Sequence, residues 1–161
     1  MIHHLSIAVN DPEHVASVLT ELMGGYYRKF PIADNCFMAF QLDAHGTQVE
    51  IYPAGTYMKP SQEGPPLTMA PPRTPAYGAT HFALSVDRSE DEVHEIMARA
   101  GWICRRNDRA EFPVVEVWIE NEQMFEVLTP EFAQKYLEVT AETKRQVDEA
   151  RADGAPVPEG A

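Results

Sequence analysis

Two histidines and two glutamates recur at matching places in the two halves of this 161-residue chain. His4 and His81 each begin a similar stretch, HLSIAV and HFALSV. Glu50 in VEIYP and Glu126 in FEVLTP are separated by almost the same distance along the chain, one position less than the histidines. Because independent landmarks agree this closely, the pattern indicates a tandem duplication.

The four residues have the chemistry of metal ligands. In HLSIAV the large apolar residues alternate with His4, Ser6 and Ala8, as in a strand with one core face and one open face. Glu50 and Glu126 likewise stand between apolar neighbours. Two imidazole nitrogens and two carboxylate oxygens suit one divalent ion, such as Zn²⁺, Ni²⁺, Fe²⁺, Mn²⁺ or Co²⁺. If a pseudo-twofold axis relates the halves, the sequence predicts one metal ion in a shared cleft.

Each half has the element order β-α-β-β-β. An amphipathic helix follows the first strand of each half and ends at Gly24 or Gly101, and Ser89 with Glu92 forms a capping-box pattern at the start of the second helix. Three strand-like stretches then follow in each half: YYRKFP, CFMAFQL and TQVEIYP, and later WICRRN, VVEVWIE and QMFEVLT. The predicted fold class is α+β, with two tandem βαβββ modules forming a curled mixed sheet around a cleft, plus a C-terminal helix.

Segment boundaries follow from the same patterns. We expect a first module over residues 1–53 and a second over residues 79–130. The proline-rich residues 54–78 between them are expected to form a linker without regular structure. Residues 131–150 are expected to form the C-terminal helix, and residues 151–161 a flexible tail.

Composition limits the range of functions. A hydrophobic content of 44% without any apolar run near the ~20 residues of a membrane span predicts a soluble globular protein. The net charge of −12 disfavours nucleic acid and anionic lipid as partners. Cys36 and Cys104 form no CxxC pair, and the N-terminus has no secretory pattern. We therefore expect a cytoplasmic protein with two free thiols and a small-molecule substrate.

With its duplicated H…E…H…E set, the chain resembles the vicinal oxygen chelate superfamily, the glyoxalase, bleomycin resistance and extradiol dioxygenase proteins. The resemblance covers about residues 1 to 130. The stretch AYGATHFALSVD followed by FEVLTP is similar to the metal-dependent glyoxalase I branch, which implies His4, Glu50, His81 and Glu126 as metal ligands. The methylmalonyl-CoA epimerase branch typically has Gln at the position of Glu50, and extradiol dioxygenases and fosfomycin-resistance enzymes use two histidines and one glutamate.

The resemblance implies a lyase or isomerase acting on a small α-oxo or hydroxy-carbonyl compound. A carboxylate that can leave the metal would carry the proton as base and then acid, with Glu126 the first choice and Glu50 the second. The expected pocket-lining residues on the same faces are Phe37, Tyr52, Trp118 and Leu128.

The chain departs from the glyoxalase I pattern at the glutathione-binding positions. Ala8 and Ala54 stand where that branch usually has Arg and Asn, and ENEQM replaces its DPDG-type hairpin. The resemblance therefore does not extend to glutathione as the substrate handle.

Two alternatives and a quaternary arrangement complete the expectations. One alternative is an Fe²⁺-dependent extradiol dioxygenase, and the other is a non-catalytic protein that sequesters a ligand or drug. In this superfamily the cleft is formed either within one chain or between the modules of two chains, and the long proline-rich linker permits either. A homodimer is expected.

Overall fold

The elements follow the predicted order twice. A computed structural model of the chain describes residues 3–58, 67–69, 79–109 and 112–154. The first half contains β1 His4–Val9, α1 Pro12–Met23, β2 Tyr26–Lys29, β3 Phe37–Phe40 and β4 Gln48–Pro53. The second half contains β7 Ala83–Ser85, α2 Glu90–Ala100, β8 Cys104–Asp108, β9 Pro113–Ile119 and β10 Gln123–Leu128. Two short strands lie between the halves, β5 Thr56–Met58 and β6 Leu67–Met69, and helix α3 Pro130–Ala152 follows the second half.

Both halves have the same sheet topology. The strand orders are β1-β4-β3-β2 and β7-β10-β9-β8. In each sheet the first strand pairs in parallel with the last, and the other pairs are antiparallel. The α+β class with two βαβββ modules and a C-terminal helix is confirmed. Among the described residues the two modules form two separate four-stranded sheets, and β1 and β7 each lie at a sheet edge.

Local sequence signals fix the ends of the first two helices. The Asp11 side chain accepts a hydrogen bond from the backbone N–H of His14 at the start of α1. The capping box of Ser89 and Glu92 is present at the start of α2, as predicted. Gly24 and Gly101 end the two helices in the left-handed conformation, at φ 68° and 72°, which a residue without Cβ adopts at little cost.

The core lies between each helix and one face of its sheet. The buried side chains recur at helical spacing in the helices and alternate along β1, whereas several successive residues are buried in β3 and β9. They include Leu19, Leu22 and Val15 from α1, Met97 and Val93 from α2, and Val49, Ile51, Val117, Phe125 and Val127 from the strands. This packing leaves the opposite face of each sheet available for a site.

The hairpin after the third strand of each module contacts the other module. The Glu120 carboxylate accepts hydrogen bonds from the backbone N–H groups of Asn10 and Asp11, both at 2.6 Å. Gln41 donates through Nε2 to the carbonyl oxygen of Ser85 at 2.8 Å. Each hairpin therefore reaches the end of the other module's first strand.

The segment between the modules contains regular structure, so the expectation of a linker without any is wrong for its described part. Strands β5 and β6 pair antiparallel, with Thr56 opposite Met69 and Met58 opposite Leu67. Threonine and tyrosine in Thr56–Met58 favour extended pairing, a signal that the high proline content obscured. Residues 59–66 and 70–78 lie outside the described residues.

Helix α3 begins at Pro130 and ends at Ala152, two residues into the predicted tail, whose residues 155–161 lie outside the described part. None of the helices described is both long enough and apolar enough to cross a membrane. Cys36 and Cys104 are free thiols, as expected.

Candidate functional site

The first candidate acid lies on the open face of the first sheet. Glu50 in β4 is the register partner of Ser6 in β1, and these two strands are parallel. His4 lies two residues before Ser6 in β1. Directly paired residues, and residues two apart in one strand, share a sheet face. The structure therefore places His4 and Glu50 on one face, as predicted from the alternation.

Two hydroxyl groups hold the Glu50 carboxylate. Ser6 donates through Oγ to Oε2 of Glu50 at 2.9 Å, and the Tyr52 hydroxyl donates to the same oxygen at 3.0 Å. Tyr52 is only 3% exposed. Burial, together with the hydrogen bond to Glu50, raises the pKa of Tyr52 well above its usual range. Tyr52 consequently stays protonated and serves as a fixed donor to Glu50.

The second candidate acid lies on the corresponding face of the second sheet. Glu126 is the register partner of Ala83 in the parallel pair of β7 and β10, and its backbone N–H donates to the carbonyl oxygen of Phe82 at 2.9 Å. His81 lies two residues before Ala83, with Nδ1 2.9 Å from the carbonyl oxygen of Ala79. His81 therefore precedes the register partner of Glu126 by two residues, as His4 precedes the register partner of Glu50.

Glu126 forms an ion pair with an arginine. Nη2 of Arg109 lies 2.5 Å from Oε1 of Glu126 and 3.4 Å from Oε1 of Glu116. Glu116 and Glu126 are register partners in the antiparallel pair of β9 and β10, so their side chains share one face.

Glu116 is a buried charge with several donors. Nε of Arg105 lies 2.6 Å from Oε2 of Glu116, and Nδ2 of Asn107 lies 2.5 Å from Oε1. Burial by itself would raise the pKa of Glu116. The hydrogen bonds from Asn107 and Arg105 and the charges of Arg105 and Arg109 outweigh burial, and they lower the pKa.

The expected pocket residues have different placements. Tyr52 shares the face of Glu50, and Trp118, which is opposite Met124, shares the face of Glu116. The expectation that Phe37 lies on the face of Glu50 is wrong. Phe37 pairs with Ile51 and belongs to the hydrophobic core. Leu128 lies on the Glu126 side by strand alternation but is buried in the same core cluster.

The structure separates the four predicted ligands into one histidine and one glutamate per module. In the part of the chain that the structure describes, no group of three or more His, Cys, Asp or Glu side chains could hold a metal ion. One chain by itself therefore does not fit the four-ligand ion expected from the sequence. Each module contributes one of the predicted histidines and one of the predicted glutamates, which is half of that donor set, and the open face of the second sheet carries Glu116 in addition.

The residues that surround Glu126 on the second sheet were not predicted from the sequence. Arg105, Asn107 and Arg109 alternate with other residues in CRRNDR, which is a period-2 signal for one polar face, and Glu116 stands alone among valines in VVEVW. These signals identify a polar strand face. They do not identify the acid to which each donor binds.

Comparison with known proteins identifies the fold. No family model and no curated protein sequence matches the chain. A solved structure of the fosfomycin resistance protein FosX from Mesorhizobium loti is similar, with a TM-score of 0.53 and 15% identity over 84% of this chain and 96% of that chain. FosX from Listeria monocytogenes, complexed with Mn(II) and sulfate ion, has a TM-score of 0.52 and 14% identity over 79% of this chain and 86% of that one.

A glyoxylase/bleomycin resistance protein/dioxygenase domain from Frankia sp. EAN1pec is also similar, with a TM-score of 0.51 and 16% identity over 80% of this chain and 96% of that chain. The chain thus has the fold of the vicinal oxygen chelate superfamily. At these identities the likeness concerns the fold, and it does not single out the glyoxalase I branch.

Proposed function

We propose that the protein is a metal-dependent lyase or isomerase of the vicinal oxygen chelate type that acts on a small α-oxo or hydroxy-carbonyl compound. The observation that carries the proposal is the matched register, Ser6 with Glu50 and Ala83 with Glu126, with a histidine two residues before each β1 or β7 partner. A duplicated histidine and carboxylate on open sheet faces is more specific than any one of these residues alone.

The site is completed by two copies of the chain. His4 and His81 are both exposed, and β1 and β7 each have one neighbouring strand in their sheets. An edge strand offers unpaired N–H and C=O groups to another chain. A homodimer in which the first module of one copy faces the second module of the other would join two His–Glu pairs into one four-ligand set.

A bound divalent ion would stabilise negative charge that develops on neighbouring substrate oxygens. The chain's own residues then divide the remaining tasks. Arg109 already occupies one oxygen of the Glu126 carboxylate. Glu50 is held only by hydroxyl donors among the described contacts. This difference favours Glu50 over Glu126 as the proton carrier, which reverses the order expected from the sequence.

Glutathione is not the proposed handle. Position 8, on the same strand face as His4, is an exposed alanine without a charged group for a peptide carboxylate. Turnover of hemithioacetals made with and without glutathione tests this point directly. We expect no dependence on glutathione.

The metal site is tested by measuring Mn²⁺ stoichiometry in mixed dimers. One chain carries His4→Ala and the other carries His81→Ala. If sites form between copies, one of the two sites in each mixed dimer has both histidines, so one equivalent of tightly bound Mn²⁺ is expected per mixed dimer. Sites formed within one chain would leave none.

The matched control combines a wild-type chain with a chain carrying both substitutions. Sites between copies would then each lack one histidine, whereas a site within the wild-type chain would survive. The proposal requires no tight Mn²⁺ in this control dimer. Trace metal at the same level in wild type and in the His81→Ala homodimer contradicts a metal site altogether.

A ligand-sequestering function is the second candidate, and one observation favours it: Arg109 already neutralises Glu126. Such a protein would bind its ligand equally well after treatment with a chelator. The extradiol dioxygenase alternative is tested by oxygen uptake with catechols and Fe²⁺.

A further inference from the structure

A single arginine nitrogen lies between two acidic side chains on the second sheet. Nη2 of Arg109 lies 2.5 Å from Oε1 of Glu126 and 3.4 Å from Oε1 of Glu116. The side chains of the two acids are only 13% and 6% exposed, respectively. Arg109 therefore already has a second acceptor within a short movement.

The two acids need a cation between them. Glu116 and Glu126 lie directly opposite one another in the ladder, where like charges destabilise a sheet. Arg105 and Asn107 also bond to Glu116, whereas Arg109 is the cation paired with Glu126 among the described residues. Charge balance at Glu126 thus rests on Arg109.

Arg109 has room to move. It follows the last residue of β8 and its side chain is 41% exposed. Its backbone N–H donates to the carbonyl oxygen of Phe112 at 3.1 Å, so the main chain is held while the long side chain can change its partner. Retreat from Glu126 would leave the guanidinium beside Glu116.

We propose that Arg109 is an internal counter-ion that competes with a divalent metal ion for Glu126, and that metal binding moves its guanidinium onto Glu116. A guanidinium and a divalent ion at one partly buried carboxylate repel each other, so each weakens the binding of the other. This inference rests on the proposed function, because it requires Glu126 to be a metal ligand.

The test is the affinity for Mn²⁺ measured by calorimetry on the purified, metal-free protein. Arg109→Met removes the competing charge and keeps most of the apolar stem, so Mn²⁺ should bind about tenfold more tightly, within the usual range of coupling between sites. Arg109→Lys, which keeps a cation, should bind Mn²⁺ like wild type.

Arg106→Met is the matched control. Arg106 lies in β8 and pairs with Glu90 and Asp108. It has no described contact with Glu116 or Glu126, so this variant also loses one positive charge, from β8. Its Mn²⁺ affinity should stay within about twofold of wild type, since a general field effect at a more exposed site is screened.

A second measurement does not require metal. Thermal unfolding of the metal-free protein should occur at a lower temperature in Arg109→Met, because Glu126 then faces Glu116 without its cation. Adding Glu126→Gln to Arg109→Met should restore much of the loss, since a neutral amide does not repel Glu116.

The outcomes separate this inference from the proposed function. If wild type binds Mn²⁺ and Arg109→Met binds it equally or more weakly, the counter-ion role is overturned. The proposed metal site then still stands. Equal tightening in Arg106→Met overturns the counter-ion role as well. Failure of wild type and every variant to bind Mn²⁺ overturns both.

Discussion

The two modules have matching frameworks but different surroundings for their acids. Opposite Glu50 in the antiparallel ladder lies the buried Met38, and opposite Glu126 lies the buried Glu116. Glu50 receives two neutral hydroxyl donors, whereas Glu126 receives the guanidinium of Arg109.

This difference shows that a duplicated framework can provide two non-equivalent acids. The acid opposite methionine is held by neutral hydroxyl donors and has no described cation beside it. An acid opposite a second acid requires a counter-ion in a partly desolvated position. Removing the Tyr52 hydroxyl from Glu50 should therefore weaken metal binding, whereas removing Arg109 from Glu126 should strengthen it.

The largest effect is expected in the cores beneath the two acids. Phe125 precedes Glu126, is fully buried and stacks on Phe82 at 5.1 Å between ring centroids, whereas Val49 holds the matching place beside Glu50. Phe125→Ala should lower the free energy of unfolding by about 3–5 kcal/mol. Val49→Ala should cost ~2 kcal/mol, at ~0.8 kcal/mol per buried methylene-sized group. Urea denaturation measures the loss of unfolding free energy in both variants. Equal losses would contradict the expected difference between the two cores.

The next effect concerns the contacts between modules. Glu120→Ala removes the charged acceptor of two hydrogen bonds that the backbone N–H groups of Asn10 and Asp11 donate, so a loss of about 2 kcal/mol is expected. Gln41→Ala removes one neutral hydrogen bond to Ser85 and should cost about 1 kcal/mol or less. The same denaturation experiment applies. A larger loss for Gln41→Ala would mean that the first hairpin, and not the second, is the main connection.

The site itself provides a smaller but more informative effect. Tyr52→Phe removes a donor that orients Glu50, so Mn²⁺ affinity should fall about tenfold, as for other residues that orient a metal ligand. Arg109→Met is expected to change the affinity in the opposite direction. Calorimetric titration of both variants sharpens the comparison, and a change of the same sign in both would refute it.

The smallest effect is a difference in acid sensitivity. The folded-state pKa of Glu116 is lowered, so its stabilising contribution is present above the unfolded-state value of about 4.3 and is lost as pH falls through the lower folded-state value. Glu116→Gln should therefore lose less stability than wild type as pH falls below about 4.3. Thermal unfolding at a series of pH values checks this, and parallel curves for the two proteins would contradict it.

Local signals predicted most of the framework. Alternation identified β1 and the faces of His4 and Glu50, and the capping box and terminal glycine located α2. Alternation failed where several successive residues are buried. Phe37, Met38 and Ala39 are all buried, so the sequence could not show that Met38, and not Phe37, shares the face of Glu50.

What the sequence by itself determined is the repeated unit and the place of one histidine and one acid in each copy, because strand and helix periodicities depend on neighbouring residues only. The tertiary structure decided the partners of each acid. Cross-strand register places Met38 beside Glu50 and Glu116 beside Glu126, and the end of β8 brings Arg109 to the second acid. Such pairings join residues from separate strands, so they depend on register and packing, which no local pattern encodes.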